Sequence, residues 1–200
     1  MEYIPAIISA LGTIIAAWFA YNQYAKNKMT DLKIEKWKED ETNNSLKKVG
    51  NMAVIYGELW ELLHELNADR VYIVQPHPLL NYLFVSISTE VNRKGVSSMR
   101  ESVQNMPMSE VANFVKVLAT EDWQFYKDIE VDVRDKKAKA LMSIHGTESA
   151  AIRRLVNHNN EWIGSLFIEI ANEQPFICDD IERMTAEAAN SIQFILPPIK

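Results

Sequence analysis

Few residues in this chain of 200 could do chemistry: four histidines, one cysteine and a cluster of serines. His64, His77, His145 and His158 are scattered, and no two stand four apart on a helix, so no zinc-type ligand set is spaced for. His77 differs from the others. It lies between Pro76 and Pro78, just after a strand-like run, where a loop residue can reach a ligand. It is the one candidate for cofactor or ligand contact. Ser97, Ser98, Glu101 and Ser102 make no nucleophilic triad without a histidine placed beside them, and they read as caps and a polar helix face. Cys178 precedes Asp179 and Asp180, whose charges oppose a reactive thiolate. A single cysteine also forbids an intrachain disulfide. No G-x-x-x-x-G-K phosphate loop occurs. The expectation is a protein with no catalytic residues, no metal and no cofactor.

Composition narrows the class. The net charge is −6, without the basic surplus of a general nucleic-acid binder, so no nucleic-acid partner is expected. The short basic run "RDKKAK" (134–139), with Arg153 and Arg154, reads as a solvated surface or as a contact for anionic lipid or an acidic partner.

The elements that must position these residues begin with an apolar run. Residues 4–21, "IPAIISALGTIIAAWFAY", carry no charge. At about 1.5 Å per residue such a run is close to the minimum that crosses a bilayer core of roughly 30 Å. Trp18, Tyr21 and Tyr24 sit at its far end as interfacial aromatics do. Gly12, Ala16 and Ala20 recur every four residues and make a smooth face for helix packing in lipid. A buried soluble helix and a signal peptide are the alternatives, but a signal peptide would want a basic start and a small-residue cleavage site. Lys26, Lys28, Lys33, Lys36 and Lys38 follow the run and predict a single-pass inner or plasma membrane protein with its large domain in the cytoplasm. Residues 1–24 are thus the expected transmembrane anchor. Residues 25–45, polar and rich in Lys and Glu, are a helical stalk that loosens near "ETNNS".

Residues 46–200 read as one soluble domain. Leu46, Val49, Met52, Ala53, Tyr56, Leu59, Trp60, Leu63 and Leu66 have helical spacing. Strands are predicted at 69–77, stopped by the prolines, and at 81–91, where Leu83, Val85, Ile87 and Thr89 share a face. A segment broken at Met106–Pro107 follows, then a helix capped by Ser109. Strands at 123–131, 149–158 and 161–171 flank a short helix within 132–144, with a turn at Asn159–Asn160. Asp179 or Asp180 caps a last helix striped by Ile181, Met184, Ala188, Ile192 and Ile195 and ended by Pro197–Pro198. The fold class is α+β: a central antiparallel sheet of about five strands, one face covered by the first and last helices.

Ile163–Gly164–x–Leu166, then Phe176, Asp179/Asp180, Ile181, Ala188, Ala189 and Ile192, resembles the carboxy-terminal half of GAF domains, and the element order of 46–196 is similar to the GAF/PAS architecture. The resemblance implies that the Ile-Gly strand lies in the sheet, that Phe176 plugs the core and that the aspartate starts the closing helix. Gly164 would let neighbouring backbone come close. The resemblance also implies a sensor of a small molecule, such as a cyclic nucleotide or a tetrapyrrole, or a dimerising module. The Asn-Lys-x-x-x-Glu signature of the cyclic-nucleotide type is absent, and Cys178 stands away from the position of the phytochrome chromophore cysteine. A second resemblance is to the T-even phage holin type, in the layout of one membrane helix and a soluble domain and in "LLNYLFVSI" and "WIGSLFIEI". That family has a basic amino terminus, whereas the lysines here lie on the opposite flank. The expectation is a non-enzymatic, membrane-anchored, homo-oligomeric sensor of a small-molecule or protein ligand. A holin-like lysis protein and a ligand-free dimerising scaffold are the alternatives.

Overall fold

The computed structural model describes the backbone of residues 4–78, 83–171 and 178–199; of residues 4–39 it describes only some side chains, and of Cys178 and Asp179 none. The chain divides into two compact units, Met1–Val49 and Gly50–Lys200. The first unit is helical from Ile4 and belongs to α1 (Ile4–Glu65). No loosening occurs at "ETNNS". The helix runs through it, and the hydroxyls of Thr42 and Ser45 fold back to donate to the carbonyls of Lys38 and Glu41, each at 2.9 Å. Among the described residues no helix is long and apolar enough to cross a membrane. Most side chains of 4–21, on which the anchor expectation falls, lie outside the described residues, including Gly12, Ala16, Ala20, Tyr21 and Tyr24; Trp18 is exposed.

The second unit is α+β. Among the described residues six strands form one antiparallel sheet: β1 (Arg70–His77), β2 (Phe84–Asn92), β3 (Met106–Pro107), β4 (Trp123–Tyr126), β5 (Ser149–Val156) and β6 (Trp162–Ile170), in the order β3-β2-β1-β6-β5-β4. The helices are α2 (Ala112–Thr120), α3 (Ile129–Asp132), α4 (Lys136–Ile144) and α5 (Cys178–Ile192). The sixth strand corrects the expected five. Met106–Pro107, read as a break, pairs with Phe84 and Val85 at the sheet edge, where a proline's missing N–H is tolerated. Likewise Pro76 does not stop β1, which pairs through it to His77.

Strand β1 is buried along its whole length. Val71 and Ile73 join a core with Ile55, Leu59, Leu62 and Leu63 of α1 and Ile181, Ala188, Ala189 and Ile192 of α5. Tyr72 and Val74 face the opposite core, closed by α2 and α4. The two-sided burial explains the near-continuous apolar run of this strand. The expected α1 stripe is rotated. Ile55 and Leu59 are fully buried, whereas Tyr56 and Trp60 are 37% and 44% exposed.

Local chemistry sets the connections. Asp128 and Asp135 cap α3 and α4 by accepting backbone N–H bonds from residues two and three positions on. Ser109 caps nothing; it lies in a 3-10 turn, Met108–Val111, that runs straight into α2. Asn160, at φ 60°, turns the β5–β6 hairpin, helped by the Asn157 side chain, which accepts from the backbone of Asn159 and Glu161. α5 begins by Cys178, so Asp179 and Asp180 stand in its first turn; Phe176 lies outside the described residues. The helix ends at Ile192, five residues before Pro197.

Gly164 has the role its position in β6 suggests. A Cβ there would stand 2.8 Å from the carbonyl oxygen of Val74 and 3.2 Å from Cγ of Gln75. Gly164→Ala must push β1 and β6 apart and is expected to destabilise the protein by about 1–3 kcal/mol. Urea unfolding followed by circular dichroism checks this, and an unchanged midpoint would contradict the close approach.

Candidate functional site

The sheet face opposite α1 and α5 holds an apolar cavity. Tyr72 and Val74 of β1, Val85 of β2 and Phe167 of β6 form its floor. Met99, Val103 and Met106 close one side, and Phe114, Leu118, Leu141 and Met142 of α2 and α4 form the roof. The space open to the centre of a water-sized sphere is about 50 Å³. Tyr72 and Phe167 stack at 4.8 Å between ring centres, and Phe114 meets Phe167 at 6.2 Å.

A buried polar cluster continues from this floor toward the start of β1. Arg70 and Glu169 lie opposite each other on β1 and β6, 0% and 1% exposed, with Nε 3.3 Å from Oε2. The Tyr72 hydroxyl donates to Glu169 Oε1 at 2.5 Å, and Thr147 donates to Oε2 at 2.9 Å. Arg70 Nη2 donates to the carbonyl of His145 at 3.1 Å, while its Nη1 has no hydrogen-bond partner among the described residues. Burial pushes the Glu169 carboxyl above the ordinary range, against the pull of the Arg70 guanidinium and the two hydroxyl donors. Burial first, and then the Glu169 carboxylate, hold the Tyr72 hydroxyl well above its usual value. Tyr72 therefore stays a donor committed to Glu169 and offers the cavity only its ring.

A bulge aims a second carboxylate at this face. Ile73 pairs with Thr89 but Val74 pairs with Ile87, so Ser88 is the extra residue. Simple alternation along 81–91 puts Thr89 with Val85 and Ile87. The bulge instead turns Thr89 and Val91 to the α1 side and brings Glu90 opposite Tyr72. The Glu90 carboxylate accepts from the backbone N–H groups of Met99 and Arg100 at 2.8 and 3.1 Å and from the Ser98 hydroxyl at 2.5 Å. These bonds fix the segment that carries Met99 into the cavity wall.

The fold also supplies the histidine that the serine cluster lacks. His145, at the C-terminal end of α4, lies between Ser97 Oγ (3.1 Å from Nδ1) and Ser102 Oγ (2.8 Å from Nε2). Acyl chemistry does not follow, because the backbone N–H groups of Ser102 and Val103 are both spent on the carbonyl of Met99 rather than aimed at a reacting oxygen. The bridge ties the β2–β3 connection to α4. Burial, and then the Arg70 charge, lower the His145 pKa.

His77 is the last residue of β1, 8% exposed, bonded to Ser86 Oγ at 2.7 Å and stacked on Phe84 at 6.0 Å. It does not line the cavity. Within the basic run, Lys137 pairs with Glu110 at 3.3 Å on the surface. Residues that sequence reading missed, Arg70 and Glu169 above all, carry one legible signal: Arg70 opens onto the apolar run 71–74 and Glu169 interrupts the apolar run 166–170.

Arg70→Met leaves Glu169 buried and unpaired and is expected to destabilise the fold by roughly 3–5 kcal/mol, with most of that recovered when Glu169→Leu is added. Denaturant unfolding of the two single variants and the double variant checks this; purely additive losses would contradict it. The His145 ring is expected to titrate below about 6.5 in proton NMR. Its neutral form then contributes stability that is full above that value and lost as pH falls through the lower folded pKa. A midpoint at or above the ordinary one would contradict the geometry.

No family model matches the sequence, and no curated protein matches it. Solved structures do. GAF3 from Slr1393 of Synechocystis sp. PCC6803, in its photoproduct state, aligns over 72% of this chain and 90% of its own at 11% identity, with a TM-score of 0.59. The blue-light-absorbing PixJ GAF domain of Thermosynechococcus elongatus aligns over 74% and 87% at 15% identity, TM-score 0.58. The phycoerythrobilin-bound GAF domain of a cyanobacterial phytochrome aligns over 74% and 91% at 13% identity, TM-score 0.55. The phage-holin resemblance finds no support in these neighbours. The chain has the fold of GAF domains.

Proposed function

We propose that this chain is a non-enzymatic sensor, in which a GAF-fold domain behind a membrane-anchoring helix binds a small molecule and biases an oligomer. The observation that carries the reading is the cavity between the sheet and α2/α4. It lies across the sheet from α1 and α5, so an occupant acts on those helices through the strands between them. A ligand shifts such an assembly only by binding one of its states better than another. The cavity also favours this reading over a ligand-free scaffold.

A tetrapyrrole, which the phycoerythrobilin-bound neighbour holds, is not the ligand this site favours. The space is about 50 Å³. The chain's only cysteine opens α5, whose stripe packs on the other face of the sheet. Membrane attachment and self-association rest on the uncharged run 4–21 and the lysines after it.

The test uses the full chain expressed in bacteria. It is expected to stay with alkali-washed membranes and, in detergent, to give a native mass spectrum of more than one copy with a small-molecule adduct. A chain in the supernatant, or a bare monomer, would overturn the proposal.

A further inference from the structure

The walls of the cavity specify its guest further. Among the described residues that line it, every one is an apolar side chain except Tyr72, and the Tyr72 hydroxyl is spent on Glu169. A guest there meets no hydrogen-bond donor or acceptor. Any charged or polar group that it brought would leave water with nothing in return. A space of about 50 Å³ takes about three to five water-sized spheres, yet water itself needs two to four polar partners and the lining offers none, so water is a poor occupant. Three of the walls are methionines: Met99, Met106 and Met142. Their unbranched thioether chains repack at little cost and let the space widen around a slightly larger guest.

Resting on the sensor reading above, we infer that the ligand is a small uncharged molecule without hydrogen-bonding groups: a gas or short hydrocarbon, up to about one benzene ring once the methionines have repacked. Cyclic nucleotides and tetrapyrroles are larger and more polar than this space suits. The same lining explains why the polar cluster stops where it does. Arg70 and Glu169 pair with each other at the far end of Tyr72, and neither lines the cavity.

The test uses the full-length protein in detergent, labelled with carbon-13 at the methionine methyls. Xenon and benzene serve as apolar probes and cyclic GMP as a polar control. The Met99, Met106 and Met142 methyls are expected to shift saturably with xenon and with benzene, and not with cyclic GMP. Val103→Phe and Ala138→Ile, which fill the cavity from two sides, are each expected to weaken xenon binding by roughly tenfold or more. Two filling variants are used so that a failure of one to fold leaves the other to decide. Phe114→Ala, which enlarges the cavity, is expected to tighten benzene binding.

Absence of shifts with both apolar probes, equal shifts in the filling variants, or the same methyls moving with cyclic GMP would overturn the inference. A tetrapyrrole or nucleotide copurifying with the chain would also overturn it, while leaving the sensor reading intact. Xenon and benzene binding that leaves the oligomer unchanged would instead count against the sensor reading and leave this inference standing.

Discussion

Burial of β1 on both faces is the constraint on which the rest depends. A central strand with no solvent side needs a cover on each face. On one face α1 and α5 supply it with a continuous aliphatic layer. On the other the cover comes from pieces: the 99–106 segment, α2 and α4. Short elements joined by turns pack less completely than two long helices do, and the cavity lies on that side. At Gly164, β6 comes close enough to β1 that a Cβ would meet the Val74 carbonyl.

The Arg70–Glu169 pair has to be understood within that frame. A buried ion pair adds little net stability, because removing both charges from water offsets most of their attraction. What it does here is fix positions. Glu169 gathers Tyr72, Thr147 and Arg70, and Arg70 reaches the carbonyl of His145 at the end of α4. His145 in turn bridges Ser97 and Ser102. One carboxylate thus links β1, β6, α4 and the β2–β3 connection, the same parts that frame the cavity. Glu90 repeats the device from β2 by holding the backbone at Met99.

Much of the sheet was legible in the sequence because periodicity and turn residues agreed, as along 149–171 with its Asn-Asn turn and Gly164. What was not legible has identifiable causes. The edge strand Met106–Pro107 is two residues long and contains proline, which argues against a strand until a partner is known. The bulge at Ser88 reverses the alternation of β2, and nothing local to 81–91 announces it. The stripe of α1 was misjudged because Tyr56 and Trp60 count as apolar in a helical pattern, although the tertiary fold leaves them partly in water. His145 and Ser102 lie 43 residues apart, so only the fold could join them. His77 reads as a loop residue because prolines flank it, yet β1 runs through the first of them and buries it.

The cavity on the α2/α4 face is the centre of this account, and a crystal structure of the protein under xenon pressure tests it most directly. A xenon atom is expected among Met99, Met106 and Met142, beside the Tyr72 and Phe167 rings, with the Arg70–Glu169 pair unmoved. Side chains closed over that space, with no xenon between the sheet and α2/α4, would contradict it.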